Sequence, residues 1–304
     1  MPPAPSHIRL HDWGLLVLLS LIWGGSYLFV GIAVKDLPPL VIVMARVVIA
    51  AAVLLPLHLL LVGPLPGGRA TWAAIAGMSV VNNIIPFSLI VTGQTMIASG
   101  LASVINATAP LFSLCFIAAA GLERLEPRKL AGIFLGIAGV AVLKGGTLLG
   151  EGSQSTGILL CLGAAASYGL AALWARMKLT AIPPLSLATG QLLCSAVIMI
   201  VLSAGFSDPE QLLAASSASW AALLGLALVS TALAYIIFFR IVASAGAGNV
   251  VLVTMMIPVS AIAFGVMLLG ESLEPREIAG AAIIALGLLI IDGRVLNRFR
   301  QPAA

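Results

Sequence analysis

The sequence contains very little charge. Only 9% of its 304 residues are Asp, Glu, Lys or Arg, whereas 61% are hydrophobic; a soluble domain carries roughly 25% charged residues. A chain of this composition cannot cover a water-exposed surface. Its apolar residues stand in runs of about 20, the length that crosses a bilayer. Such runs leave only short loops and no room for a soluble catalytic domain.

Residues that carry out catalysis or bind metals are scarce as well. The three cysteines lie inside apolar runs without metal-ligand spacing, which predicts small buried side chains. None of the 11 acidic residues lies in the middle of a run, and the three histidines lie near one predicted membrane face. HExxH, GxSxG and P-loop lysine motifs are absent from the sequence. We therefore expect no enzyme activity, no bound metal and no cofactor.

The basic charge balance predicts membrane topology rather than nucleic-acid binding. The net charge is +4, but the cations are scattered one or two to a loop and form no basic stripe. If the N-terminus is cytoplasmic, 11 of the 15 Lys and Arg residues lie on the cytoplasmic side, three lie on the far side, and Arg46 lies inside a span. We expect a multi-pass protein of the inner (plasma) membrane with both termini in the cytoplasm.

The apolar runs predict ten transmembrane helices. Pro and Gly residues punctuate the breaks, and the polar stretch 150–156 is interpreted as a linker between two halves. The first run is too long for a signal peptide, and no small-x-small cleavage site closes it. The expected spans are 13–34, 40–62, 71–92, 95–120, 130–147, 156–177, 185–206, 217–239, 247–269 and 278–295.

The two halves of the chain repeat each other. ERLEPRKLAG at 123–132 returns as ESLEPREIAG at 271–280, with seven of ten positions identical at an offset of 148. Because each half has five spans, an odd number, the second half must enter the membrane from the opposite side. The predicted fold is an all-α polytopic membrane protein with two inverted five-helix repeats around a central cavity, an architecture of many secondary transporters. The halves are 1–148 and 149–304, the second including a cytoplasmic C-terminal tail.

With these features the chain resembles the drug/metabolite transporter superfamily, and within it the bacterial EamA-like exporters. The resemblance rests on the repeats, on the Trp23-Gly24 pair and on the segments from Pro110 to Glu123 and from Pro258 to Glu271, and it covers nearly the whole chain. It implies export of small metabolites such as amino acids. It also implies a cavity lined mainly by helices 1, 3, 4, 6, 8 and 9, with helices 2 and 7 as gates. Distant relatives carry sugar phosphates or nucleotide sugars.

Polar side chains inside the spans are the candidates for the binding site. Ser99, Ser103, Asn106, Pro110 and Ser113 follow one face of the fourth span, which predicts that this face looks at protein or a cavity. Small hydroxyl residues can instead simply allow close helix packing, and Trp or Tyr can belong to an interfacial belt. Gln94, between spans, is explained as well by a loop position. The other cavity candidates are Trp23, Tyr27, Asn82, Asn83, Tyr168, Trp174, Gln191, Tyr235 and Thr254.

Arg46 is the one ionisable side chain clearly inside a span, roughly 10 Å below the far surface at 1.5 Å per residue. It could bind a substrate carboxylate bidentately, or it could snorkel outward or pair with helix-end carbonyls. Pro110 and Pro258 interrupt two spans at matching positions, as expected for a site or hinge, although a static kink is the alternative. Gly100 and Gly248 match in the same way and complete the hinge candidates.

These features predict a secondary transporter that works by alternating access. Amides, hydroxyls and aromatic rings with few charges suit neutral or aromatic amino acids better than phosphates. The lack of a mid-span acid or histidine favours facilitated diffusion or exchange over obligatory proton coupling. The alternatives are a transporter of other metabolites or drugs, such as nucleosides or sugar phosphates, and a channel or non-transporting scaffold. We expect the small-molecule substrate and the lipid bilayer as partners, no nucleic acid, and a monomer or weak homodimer.

Overall fold

In the computed structural model, residues 9–145, 152–205, 214–245 and 247–292 are described, and they form helices joined by short connections without any strand. Of the predicted linker at 150–156, residues 150 and 151 lie outside these ranges, whereas 153–156 form the first turn of a helix and are not linker. The C-terminal tail beyond residue 292 also lies outside them. Helices that continue through a π-helical stretch or a short break are taken together below. They are α1 (Leu10–Ala33), α2 (Pro39–Leu61), α3 (Arg69–Gly93), α4 (Ser99–Ala119), α5 (Pro127–Leu143), α6 (Ser153–Lys178), α7 (Pro184–Ser203), α8 (Ser217–Leu224, Gly225–Leu233 and Ala234–Ala245 in succession), α9 (Ala247–Phe264, continued by Gly265–Leu269) and α10 (Pro275–Asp292).

Within the described residues, eight of these helices are long and apolar enough to cross a membrane. The other two are α5, which has 17 residues, and α10, which carries three charged side chains in its 18 residues. The outer surface is apolar, as a lipid environment requires: Leu60, Val201, Val259 and Met267 are each more than 70% exposed. The all-helical membrane class expected from the sequence is therefore confirmed.

Four helices begin at a proline: Pro39, Pro127, Pro184 and Pro275. A proline in the first helical turn costs no hydrogen bond, because the N–H groups there have no intrahelical partner. Four predicted starts fell one to three residues too late for this reason. The predicted start of α4, residue 95, was too early: the helix begins at Ser99, because the chain turns after α3 before the next helix begins.

Several helices are irregular near the centre of the molecule. The backbone of α4 breaks at Ala107 and Thr108, and Pro110 lies in the first turn of the second piece. The fourth span is thus two short helices rather than the single kinked helix that was expected, whereas Pro258 lies inside a continuous helix. In α3 and α8, π-helical stretches run from Val80 to Ile84 and from Gly225 to Leu233. Such stretches are frequent at functional sites.

Glycine residues bring α5 and α10 into backbone contact. A Cβ atom on Gly139 would lie 2.9 Å from the carbonyl oxygen of Gly280, and one on Gly287 would lie 2.7 Å from that of Gly132. Because Gly132 meets Gly287 while Gly139 meets Gly280, the two helices run antiparallel. The fifth span thus uses its glycines for contact within one chain.

Other close contacts between the halves occur in matched pairs. Gly24 packs on Ser260 and Ala261, and its repeat counterpart Gly169 packs on the counterparts of those two residues. The side chain of Trp174 covers Gly77 in the same way that Phe29 covers Gly225. The counterparts of Ser260 and Ala261 are Phe112 and Ser113.

We expect Gly139→Ala to destabilise the protein, because the added methyl group would meet the backbone of α10, which cannot move aside. Overpacking of this kind costs about 1–3 kcal/mol. The free energy of unfolding in detergent, or the Tm, measures the loss. Gly14→Ala is the matched control, since nothing lies within 4 Å of its Cβ position and alanine favours a helix. Equal stability of the two variants would contradict the proposed contact.

Candidate substrate cavity

A cavity of about 430 Å³ lies among α1, α2, α3, α4, α6, α8 and α9. This volume is within the range of pockets that bind small molecules. Its walls bring together nine of the twelve predicted site residues. They are Trp23, Tyr27, Arg46, Asn82, Ser103, Asn106, Tyr168, Tyr235 and Thr254.

Arg46 is held at the cavity wall by two contacts. Its Nε donates a hydrogen bond to the Thr231 hydroxyl at 2.9 Å, and its guanidinium carbon lies 3.7 Å from the centre of the Phe87 ring. A cation over an aromatic face is attracted by the negative face of the ring. Among the described residues, no carboxylate pairs with Arg46, and no other charged side chain lines the cavity. The cavity therefore presents one buried positive charge without a protein anion.

The π-helical stretches of α3 and α8 each contact the opposite half of the chain. From α3, the Asn82 amide donates to Oε1 of Gln191 at 3.1 Å, and the Asn83 amide donates to the Ser195 hydroxyl at 3.0 Å. From α8, Thr231 accepts from Arg46. Gln191 is the repeat counterpart of Arg46 at an offset of 145, so the two contacts join corresponding helices, although Asn82 corresponds to Ser230 and not to Thr231. The π turns place polar side chains at the boundary between the halves.

Three predicted residues lie outside the cavity lining. The Trp174 indole donates to the carbonyl oxygen of Ala74 at 2.9 Å, so this ring serves the contact between α6 and α3. Asn83 is fully buried and, with Gln191, lies one layer behind the wall. Both are linked to the Tyr235 hydroxyl by 3.4 Å contacts. They orient a wall residue rather than line the cavity.

Sequence reasoning missed several wall residues. Ser230 and Thr231 line the cavity, and their repeat equivalence to Asn82 and Asn83 was a signal that could have identified them. Gln94 is a buried residue at the end of α3, and its Nε2 donates to the carbonyl oxygen of Tyr27 at 3.0 Å. No pattern distinguishes it from a loop residue, because the α3–α4 turn folds back onto α1. The aromatic wall residues Phe87 and Phe238 were also missed.

Two buried amide oxygens accept no hydrogen bond from the described part of the protein. Oε1 of Gln94 and Oδ1 of Asn106 have no partner among the described residues, although Gln94 is only 7% exposed. Buried acceptors are normally paired. Both residues line the cavity, so their oxygens are candidates to accept a hydrogen bond from a ligand.

Three of the four hinge candidates, Gly100, Pro110 and Gly248, lie near the start of a helix or at a helix break, whereas Pro258 lies inside a continuous helix. Gly100 packs on Ile262, and its N–H donates to Glu271 at 3.2 Å. Glu271 also accepts from the backbone N–H of Ser99 at 2.8 Å and from its hydroxyl at 2.9 Å. The backbone of Gly248 belongs to α9, while its surroundings lie outside the described part of the structure. One carboxylate thus fastens the α9–α10 connection to the first turn of α4.

Known proteins are similar to this chain over most of its length. The sequence profile of the EamA-like transporter family matches residues 13–144 and 155–292. The uncharacterized inner membrane transporter YedA of Escherichia coli K12 is 30% identical over 96% of this chain and 92% of its own. A probable amino-acid metabolite efflux pump of Salmonella typhimurium LT2 is 26% identical over 92% of this chain and 94% of its own.

A solved crystal structure, described only as that of a protein, shares the fold. Its TM-score is 0.67 at 20% identity, and the match covers 97% of this chain and 100% of the other. The family profile covers well over half of the sequence, and its two matched segments contain every residue that lines the cavity. This chain belongs to the EamA-like transporter family and is a membrane transporter.

Proposed function

We propose that this protein is a facilitative secondary transporter of small metabolites that carry a carboxylate, foremost neutral or aromatic amino acids. Arg46 carries the proposal. Removing a guanidinium from water is costly unless an anion or hydrogen bonds compensate. A substrate carboxylate would supply that anion through two parallel hydrogen bonds, which the planar guanidinium is shaped to make.

The rest of the wall favours an amino acid with an apolar side chain. Aromatic rings from four helices face the cavity, and they suit aromatic and aliphatic groups through contact area and ring geometry. A sugar phosphate would require several inward cations, whereas the described lining has one. The direction of transport, export, is supported by the efflux function in the name of the Salmonella relative. The aromatic residues are Trp23, Tyr27, Phe87, Tyr168, Tyr235 and Phe238.

We infer that α5 and α10 also cross the membrane, which gives ten spans in two inverted repeats, 1–148 and 149–304. The support comes from their contact. These helices are repeat counterparts, and they pack antiparallel through Gly132, Gly139, Gly280 and Gly287. Two equivalent helices that pack antiparallel are related by a two-fold axis perpendicular to them. If the helices cross the bilayer, that axis lies in its plane, as in an inverted repeat. The loop cations then place both termini in the cytoplasm.

The two copies of the repeated motif lie at opposite ends of the bundle, which supports the same inference. Glu271 caps the start of α4. Glu123 follows the end of α4 and pairs with Lys129 at 2.6 Å and Arg176 at 3.4 Å. The hydrogen bond from Lys129 is the main cause that holds the pKa of Glu123 below its ordinary value, so this carboxyl is charged at neutral pH. We infer that these contacts of Glu271 close the α4 N-terminal end of the bundle in this conformation.

The absence of an acid from the described lining supports facilitated transport. Among the described acids, Asp12 and Glu277 are buried, but they lie at helix ends and are bonded to Ser244 and to Gln154. His58 is buried between α2 and α7, where it is bonded to the Ser186 hydroxyl, outside the cavity lining. A proton relay through the cavity would need one of these groups at the wall.

Counterflow in proteoliposomes tests the function. Vesicles preloaded with unlabelled phenylalanine should transiently accumulate labelled phenylalanine without an imposed ion gradient, because exchange through an alternating site needs none. An internal pH dye should stay constant during the flux. A channel would equilibrate without overshoot. A proton flux proportional to substrate flux would refute the facilitative mechanism.

Arg46→Gln should weaken phenylalanine binding by about 30-fold or more, because losing a close buried charge pair costs roughly 2–5 kcal/mol. The Kd of Arg46→Lys for phenylalanine should lie between those of the wild type and Arg46→Gln, since lysine keeps the charge but not the bidentate geometry. Titration calorimetry on the purified protein measures both. The control is Lys35→Gln, which removes an exposed cation outside the cavity. An unchanged Kd in folded Arg46→Gln would exclude the carboxylate role.

Glu271→Ala should open the end of the bundle that Glu271 now closes. Val30, a buried wall residue, is replaced by cysteine in a chain without its native cysteines. A hydrophilic maleimide added from the α4 N-terminal side should then react about tenfold faster or more, because the charge-assisted hydrogen bonds to α4 are lost. Glu274→Ala, at an exposed acid paired with Arg276, is the matched control. Equal rates in the two variants would mean that Glu271 does not close this end.

A further inference from the structure

We propose that Asn106 and Gln94 form the subsite for the ammonium group of the substrate, so that the cavity selects zwitterionic α-amino acids. This inference rests on the proposed function, in which Arg46 takes the carboxylate. It assigns the opposite end of the same ligand to two amide oxygens that have no hydrogen-bond partner among the described residues.

The unpaired atoms are of one chemical kind. Of the three buried side-chain atoms without a partner in the described part of the chain, two are amide oxygens at the cavity wall, on Gln94 and Asn106. The third is Nδ1 of His58, which lies away from the cavity. Both wall atoms are acceptors only. Their natural complement is a ligand group with several N–H donors, and an ammonium group has three.

Tyr27 contacts both residues. The Gln94 amide nitrogen donates to the backbone carbonyl of Tyr27, and the Asn106 side chain is hydrogen-bonded with the Tyr27 hydroxyl. The first contact also fixes which end of the Gln94 amide is free, because a flipped amide would place oxygen against oxygen. The donor end of Gln94 is therefore occupied by protein, and its oxygen is the end left for a ligand.

The backbone around Asn106 favours a cation as well. Asn106 is the last residue of the first piece of α4, and the C-terminal end of a helix carries partial negative charge. Pro110 has no N–H, so the carbonyl of Asn106 lacks the regular helical donor four residues on. Broken helices in transporters use such carbonyls and half-helix ends to bind cations.

Neutral acceptors serve this purpose better than an acid would. A carboxylate in the same cavity would pair with Arg46 whenever the site was empty, and opening that buried pair would oppose substrate binding. Amide oxygens cannot neutralise Arg46, so both subsites stay available. A ligand with only one of the two charges would leave one subsite unsatisfied.

Three probes of the same shape test the assignment in the full-length purified protein. They are L-phenylalanine, 3-phenylpropanoate, which lacks the amine, and phenethylamine, which lacks the carboxylate. We expect phenylalanine to bind at least about tenfold more tightly than 3-phenylpropanoate. Asn106→Ala and Gln94→Met should each reduce this preference and leave the Kd of 3-phenylpropanoate unchanged. Thr95→Val, next to Gln94 but exposed and outside the cavity lining, should change neither.

The outcomes separate this inference from the proposed function. If phenylalanine and 3-phenylpropanoate bind equally to the wild type, or if both variants weaken the two ligands alike, the ammonium subsite is excluded while the carboxylate role stands. If phenethylamine binding depends on Asn106 and Arg46→Gln changes nothing, the subsite stands and the carboxylate role falls. Failure of all three probes to bind the folded protein would overturn both. Two independent variants keep the test valid if one fails to fold.

Discussion

Backbone contact between helices is the constraint on which the rest of this structure depends. In a bilayer, apolar side chains gain nothing by leaving lipid for protein, so helices associate through close packing instead. Gly132, Gly139, Gly280 and Gly287 let two backbones touch directly. Gly24 and Gly169 seat two further helices in the same manner. Between these contacts, seven helices surround a cavity that side chains do not fill.

That space is defined by two unmet requirements. Arg46 contacts an aromatic ring and a hydroxyl but no anion among the described residues. The amide oxygens of Asn106 and Gln94 receive no hydrogen bond from any described residue. Each deficiency alone would be a defect in a packed membrane protein. Together they match the ligand that we propose, which has opposite charges at its two ends. The aromatic wall between them leaves the side chain of that ligand loosely specified, as suits a transporter of several related metabolites.

The sequence predicted what depends on periodicity and repetition, and it failed where folding brings distant residues together. The order of the long apolar helices followed from the apolar runs, and most wall residues followed from polar or aromatic positions inside them. Gln94 was missed because it is buried by a contact with Tyr27 of α1, a residue distant in sequence, and no local pattern predicts such a contact. Trp174 was placed in the cavity because an aromatic residue near a span end looks the same from sequence whether it faces a ligand or covers Gly77. The break in α4 was anticipated as a kink, since Pro110 predicts a lost hydrogen bond but not where the helix restarts.

The repeated motif differs between the halves at a position that governs its behaviour. Lys129, which neutralises Glu123, corresponds to Glu277 in the second copy. Glu271 therefore has an acid, Glu277, at the motif position where Glu123 has a base, Lys129. Glu271 instead accepts hydrogen bonds from the N–H groups at the N-terminal end of α4. Two identical halves would make inward-facing and outward-facing conformations equal in energy. In the alternating-access carrier that we propose, the exchange of Lys129 for Glu277 is one of the differences between the halves that would remove that degeneracy and favour one resting orientation.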